Sequence, residues 1–451
     1  MKKKINKNKG SIVNDIIAFS LLLLPFNSTI YEGFPVLLKQ VFRILPFFAT
    51  FLLLIKALIK KKNSNLRFIR NDIKIILIFT ILCLFILINN GNIMNGDYYA
   101  PLLYINYLFV FLISYKDKEI QDSVLKVLQL FLFEHIIGCI FEIVFPNLYL
   151  NLFIKKFLPN ISLASYSVVL RWFNQKYVTG LTTHYSTIGI YLSISMIFYF
   201  YRFLSTNQEK SNEKKKNFIM FIVSLVLLLT TGKRAVVVFV ILACVMTYLI
   251  FINKFSGFIK LLIASAVVIV VLNITSLIIP EVENSLIRIM EATGDSSFGN
   301  RNKLYEKAVD LWEDNMVLGN GWVTYRYYYE RFNESWDKSM YDVHNIYLQL
   351  LCEIGLIGAL FVLSLMLYLL IKNIQLIHSH REKNIELIFS LTFQLFFLLY
   401  GITGNPLYDM QCYLLYFASI SIVLYNMYIY RIRVKEIDLY ANNNGNVSSG
   451  R

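Results

Sequence analysis

The sequence predicts an all-α polytopic membrane protein of about 12 transmembrane helices, with a large, partly helical extracytoplasmic loop before the tenth span. Three observations lead there. The chain has 451 residues, of which 57% are hydrophobic and 16% charged, with mean hydropathy +0.55; soluble domains carry about 25% charged residues. Apolar runs near the length a bilayer requires, about 17–25 residues, recur along the chain. Lysine and arginine then fall in a regular pattern between the runs.

The apolar runs lie at 12–30, 38–59, 73–89, 98–115, 124–145, 183–203, 217–232, 235–253, 258–279, 346–372, 386–404 and 410–430. The run at 217–232 is the weakest, being short and closely followed by the next. After the first run, Pro25-Phe26-Asn27 is not a small-residue cleavage site, so the run reads as a retained anchor. With the N-terminus inside, the inner segments hold 25 basic residues and the outer ones 14, of which 11 sit in two long outer loops. Long loops weigh little in this rule, so both termini are expected in the cytoplasm.

The net charge of +15 follows mostly from this inner fringe. Its basic runs, Lys2-Lys3-Lys4, Lys60-Lys61-Lys62 and Lys214-Lys215-Lys216, all flank spans. They suit anionic lipid and argue against nucleic acid as a partner. Cys83, Cys139, Cys244, Cys352 and Cys412 each fall within an apolar run, with neither zinc nor disulfide spacing.

One integral membrane domain, 1–451, is expected, with a smaller outer loop at 146–182 and a larger one at 280–345. The first ten residues and the Asn-, Gly- and Ser-rich stretch 438–451 read as disordered. Inside the larger loop, Leu304, Ala308 and Leu311 recur at helical spacing with Trp312 beside them, and Lys303, Glu306, Lys307 and Asp310 fill the other face. This predicts an amphipathic helix over 300–312 that lies on the membrane or caps the bundle. Gly319-Asn320-Gly321 ends it in a turn. Trp322, Tyr325 and Tyr327-Tyr328-Tyr329 follow; they form an interfacial aromatic belt or stack on sugar rings.

The candidate chemistry clusters late in the chain. Lys233 and Arg234 occupy a short outer turn between two runs. An arginine held there either snorkels or binds phosphate oxygens bidentately. Arg301 opens the amphipathic helix, where a guanidinium and a helix N-terminus together favour an anion. His344, just before the tenth run, is one of five histidines; its side chain titrates near neutrality and suits a general base. Behind it Asn345, Gln349 and Glu353 recur every fourth residue, a polar stripe about 12 Å long at about 1.5 Å per residue. Glu134, His135 and Glu142 are ionisable at membrane depth in the fifth run, where structural pairing is the expected explanation. There is no Asp-x-Asp, Walker loop or dinucleotide fingerprint. Glu281 and Glu283 are a weak metal pair, so neither metal nor cofactor is expected.

Three places carry a family resemblance: Thr231-Gly232-Lys233-Arg234; Gly299-Asn300-Arg301 with its helix and Leu318-Gly319-Asn320-Gly321; and His344-Asn345-x-Tyr347-Leu348 with Glu353, Gly355 and Gly358. Together they resemble the O-antigen ligase and polysaccharide polymerase superfamily of bacterial membrane enzymes. The resemblance departs at the first place, where Lys233 precedes Arg234 and Ala235 follows. It implies a metal-independent, inverting glycosyl transfer from an undecaprenyl-pyrophosphate-linked oligosaccharide at the outer face of the cytoplasmic membrane. Arg234 and Arg301 would hold the pyrophosphate and His344 would activate the acceptor hydroxyl. Lys233, Asn345, Gln349, Glu353, Trp322 and Tyr325 would contact substrate. The partners implied are lipid-linked donor and acceptor, the bilayer, a flippase and a chain-length regulator. A polymerase of capsular, exo- or O-antigen polysaccharide is the preferred member. The chain is Lys-rich, with 30 Lys against 14 Arg, which suits a low-GC genome. A ligase is the nearest alternative, and a flippase the competing class.

Overall fold

The computed structural model describes residues 2–27, 29, 33–61, 99–160, 163–206, 210–252, 296–322, 324–325, 342–379 and 386–448. Among these the chain is helical, with no strand. In order the helices are α1 (Lys2–Phe26), α2 (Val36–Lys61), α3 (Tyr99–Ser114), α4 (Lys118–Val144), α5 (Pro146–Tyr149), α6 (Leu163–Asn174), α7 (Tyr185–Ser205), α8 (Ser211–Thr230), α9 (Arg234–Ile252), α10 (Ser296–Asp314), α11 (Ile346–Ser379), α12 (Glu386–Tyr400) and α13 (Met410–Ser448). Six of them are long and apolar enough to cross a membrane. Each expected run falls on a helix except 73–89 and 258–279, which lie outside the described residues. So do Glu281, Glu283 and Tyr327-Tyr328-Tyr329.

α7 is the centre of the bundle. Fourteen of its residues, including Tyr191, Phe198 and Tyr201, are buried, and it packs on α4, α8, α9 and α12. Exposed apolar side chains lie on the outward faces instead, as on α2 (Leu37, Ile44, Phe51) and the second half of α11 (Leu360, Phe361, Ile371). That inversion is what a lipid solvent permits.

Pairing accounts for the ionisable groups of α4. His135 meets the Phe26 carbonyl at 2.7 Å, while Asn27 donates to Glu134 at 3.3 Å. Tyr191 donates to the Pro25 carbonyl at 2.6 Å, so the carbonyls that end α1 find side-chain partners. Glu142 accepts the backbone N–H groups of Thr179 and Gly180 at 2.9 and 2.7 Å, which fixes the end of the smaller loop.

The structure differs from the sequence reading in three places. The loop at 146–182 is largely helical: α5, a π-helical segment Leu150–Phe157 and α6 fold over a small core of Tyr149, Phe153, Ile154, Leu158 and Val169. Both chain ends expected to be disordered are helical, from Lys2 and through Ser448, because elongating a helix already begun is easier than starting one. The stretch from Tyr347 to Gly358 is not one continuous helix. Gly355 has φ 67° and ψ −178° and breaks α11.

A loop fills that break. Leu356 and Ile357 donate their N–H groups to the carbonyls of Met316 and Val317 (2.8 and 3.3 Å), while Asn320 and Gly321 donate to those of Cys352 and Glu353 (3.1 and 2.7 Å). The backbones of Gly319 and Gly355 approach so closely that a Cβ on either would overlap the other's main chain. Both have positive φ, the region glycine alone enters at little cost. Gly319 and Gly355 thus serve a close helix–loop contact.

Candidate active site at the outer helix ends

The turn between α8 and α9 is built to present two cations. Gly232 has φ +69°, and a Cβ there would strike the Tyr177 ring. The Val178 N–H bonds the Thr230 carbonyl at 3.2 Å, clamping the turn from the smaller loop. The Thr231 hydroxyl accepts the Lys233 N–H at 3.3 Å. Gly189 on α7 leaves room for the Lys233 side chain, whose Cβ lies 3.2 Å from where a glycine Cβ would be. Lys233 and Arg234 are both partly buried.

α10 carries Arg301. Its apolar face, Leu304, Ala308 and Leu311, packs on Tyr325, Val343 and Cys352, so the helix caps the head of α11. Tyr325 is buried and donates its hydroxyl to the Leu304 carbonyl at 3.0 Å. Trp322 is partly buried, its ring 6.2 Å from Tyr104 and 5.9 Å from Tyr408.

His344 sits at the mouth of α11 in a left-handed conformation, φ 57°. Such a conformation costs about 1–3 kcal/mol and persists where the surroundings impose it. Here Val343 is fully buried on one side. On the other, Asn345 caps α11, its side-chain oxygen accepting the N–H groups of Tyr347 and Leu348 at 3.0 and 3.1 Å. The Ile346 N–H is bound to the Gly401 carbonyl at 2.9 Å. His344 is thus pinned between a buried neighbour and a cap, with its ring partly exposed.

These elements meet electrostatically. Arg301, Arg171 and Arg234 all act on the Tyr185 hydroxyl at the start of α7. Arg301 and Asp409 act on Lys233, while Asp409, Arg301 and Asp342 act on Tyr400 at the end of α12. Desolvation and the Arg301 charge push the Lys233 ammonium down to about 8, against the pull of Asp409. The candidates from the turn, from α10 and from the head of α11 therefore share one end of the bundle with Arg171, Tyr185, Tyr400 and Asp409. Sequence reasoning passed over these four, because each sits at a different helix from the motif residues and only the packing of the bundle brings them together. The available signal was the cationic excess of the smaller loop, which topology did not demand.

Below this rim lies a second polar layer. Glu353 and Gln349 are fully buried. Glu353 accepts from Gln349 at 3.1 Å, from the Tyr325 N–H at 3.4 Å and from the Tyr408 hydroxyl. Burial and the neighbouring Glu353 hold the Tyr408 hydroxyl well above its usual pKa, which keeps it a donor. Asn320 donates to the carbonyls of Leu311 and Cys352, at 2.5 and 3.1 Å. Among the described residues no cluster of His, Cys, Asp and Glu has the arrangement of a metal site.

Residues 219–363 match the sequence model of a family described as O-antigen ligase. The match covers about a third of the chain and supports the resemblance carried by the three sequence motifs, all of which lie within it. It spans Lys233, Arg234, Arg301, His344 and Glu353, whereas Arg171, Tyr185, Tyr400 and Asp409 come from outside it. No curated protein matches the chain. The membrane helices and this match together support a multi-pass membrane protein similar in its later half to the O-antigen ligases.

Proposed function

We propose that the protein is a polymerase that joins undecaprenyl-pyrophosphate-linked oligosaccharide repeats into a surface polysaccharide. It acts at the outer face of the cytoplasmic membrane, within a chain of twelve crossings whose termini are both cytoplasmic. The observation that carries this reading is the gathering of Lys233, Arg234 and Arg301 on one end of the bundle with His344 at the mouth of α11.

The chemistry follows from the residues. His344 accepts the proton of a hydroxyl at the non-reducing end of one lipid-linked repeat. That oxygen attacks the anomeric carbon of a second, on the face opposite its pyrophosphate. The glycosidic bond forms, the carbon–oxygen bond to pyrophosphate breaks, and the configuration inverts. Negative charge grows on the leaving undecaprenyl pyrophosphate, where Arg234, Arg301 and Lys233 stabilise it more than in the ground state. This displacement requires no metal. Asn345, Gln349 and Glu353 hold the head of α11 under His344, while Trp322 offers a ring face to the sugar at the rim and Tyr325 anchors α10 beside it.

A ligase uses the same site with a different acceptor. The test is purified protein in lipid with a lipid-linked repeat and no nucleotide sugar, resolved on a gel. A ladder of products identifies a polymerase. A single transfer that appears only when a second glycan or protein acceptor is added identifies a ligase. Transport into vesicles with no transfer identifies a flippase and overturns the reading.

A further inference from the structure

A polar cavity lies at the end of the bundle opposite the candidate active site, where α4, α8 and α12 begin and α7 ends. It encloses about 420 Å³, within the range of small-molecule sites. At about 1.5 Å per residue, its Arg202 lies about 25 Å along α7 from Tyr185.

Its charges are arranged unevenly. Of the carboxylates on its wall, Asp122 and Glu386 are both bridged by Lys118, at 3.1 and 2.9 Å, and Glu213 is 3.9 Å from Lys210. Arg202 has no carboxylate within salt-bridge distance among the described residues. Its Nε is buried without a hydrogen-bond partner. Its guanidinium is held over the rings of Phe198 and Tyr201, 5.5 and 5.6 Å from their centroids. The C-terminal end of α7 is fixed beneath it, since Ser205 and Thr206 both donate hydroxyls to the Arg202 carbonyl at 3.0 and 2.6 Å. A buried arginine donor without an acceptor costs free energy, and a guanidinium posed on aromatic rings is already oriented for a planar, two-oxygen contact. Lys210 stands at the exposed rim of the same cavity, and the positive ends of three helices lie around it.

We propose that this cavity binds a phosphate-bearing polar molecule, its phosphate held by Arg202 and Lys210 and its hydroxyl or amine groups facing Asp122 and Glu386. Such a phosphate comes either from a soluble phosphorylated metabolite or from the headgroup of a phospholipid in the adjoining leaflet. The site is separate from the catalytic end and stands whether or not the polymerase reading holds.

The test uses the full-length chain with Arg301→Gln, which weakens the outer anion site, and follows the melting temperature. Glycerol 3-phosphate is titrated in, and in a parallel arm the protein is moved from phosphatidylcholine to phosphatidylglycerol nanodiscs. A saturable rise with glycerol 3-phosphate that Arg202→Gln weakens at least tenfold, and Arg202→Lys weakens less, supports a soluble ligand. A rise only with phosphatidylglycerol, again lost in Arg202→Gln, supports a lipid headgroup. If Arg202→Gln does not fold, Ser205→Trp fills the cavity with Arg202 in place and is expected to abolish the same rise. Equal responses with and without Arg202, or with the cavity filled, overturn the proposal.

Discussion

The head of α11 carries two polar layers a few residues apart, and they are built on opposite terms. In the lower one, Glu353 and Gln349 are fully buried, Tyr408 and Asn320 partly so, and all four bond one another or nearby main chain. In the upper one, Lys233, Arg234, Arg301 and His344 are partly exposed, and cationic charge is concentrated enough that Arg301 depresses Lys233. A hydrogen-bonded network rigidifies a fold, and of this one only the Gln349 side-chain oxygen is buried without a partner. A surplus of one sign costs stability and is retained where a ligand of the other sign arrives. In the proposed reading, the contrast separates residues that hold the site from those that would meet substrate, although both kinds are polar residues in the same motifs.

The comparison is tested most severely where the largest effects are expected. His344→Ala removes the proposed base and is expected to lower turnover by about 10²–10⁴-fold while leaving the melting temperature in place; a parallel fall in melting temperature would move His344 into the structural layer. Arg301→Lys keeps the charge and loses the planar fork, so turnover is expected to fall by about 10²-fold. Normal chain length in that variant would remove Arg301 from the site.

Gly355→Ala places a side chain where φ is 67° and the Val317 carbonyl already sits. A strained conformation costs about 1–3 kcal/mol, and here stability and turnover are expected to fall together, as calorimetry and the gel assay would read. Tyr408→Phe leaves an oxygen of Glu353 without its donor, at about 1–3 kcal/mol. Its turnover per folded molecule is expected to stay within a few-fold of wild type.

The pH profile sharpens the upper layer. Lys233 loses its proton near pH 8, so turnover that depends on its charge falls as pH rises through 8. Removing the Arg301 charge raises the Lys233 pKa and moves that limb upward, while Asp409→Asn moves it downward. Because the folded pKa lies below the unfolded one, near 10.4, the unfolded chain holds more protons between the two. Stability is therefore expected to rise over that interval. Smallest of all, Lys307→Ala removes an exposed i,i+3 pair with Asp310 and is expected to change stability by less than about 0.5 kcal/mol.

Sequence periodicity made much of this legible. The apolar face of α10, the Gly319-Asn320-Gly321 turn and the i,i+4 stripe to Glu353 all follow from local spacing, and all are present. Gly355 stood out in the sequence as part of the third motif, but the break in α11 there did not, because the loop that fills it is more than thirty residues upstream. Arg171, Tyr185, Tyr400 and Asp409 were illegible for a related reason. Each sits at the end of its own helix, and only the packing of α6, α7, α12 and α13 beside the α8–α9 turn brings them to one place. The charge of the upper layer could be counted from the sequence, but its geometry could not.

The account rests on the upper layer carrying out glycosyl transfer. Its most direct test is release of undecaprenyl pyrophosphate from a lipid-linked oligosaccharide by the purified protein in EDTA, measured for wild type and for His344→Ala preparations of equal melting temperature. Release by the wild type and none by the variant is the predicted result. Equal release by both, or release that returns only on adding a divalent ion, would contradict it.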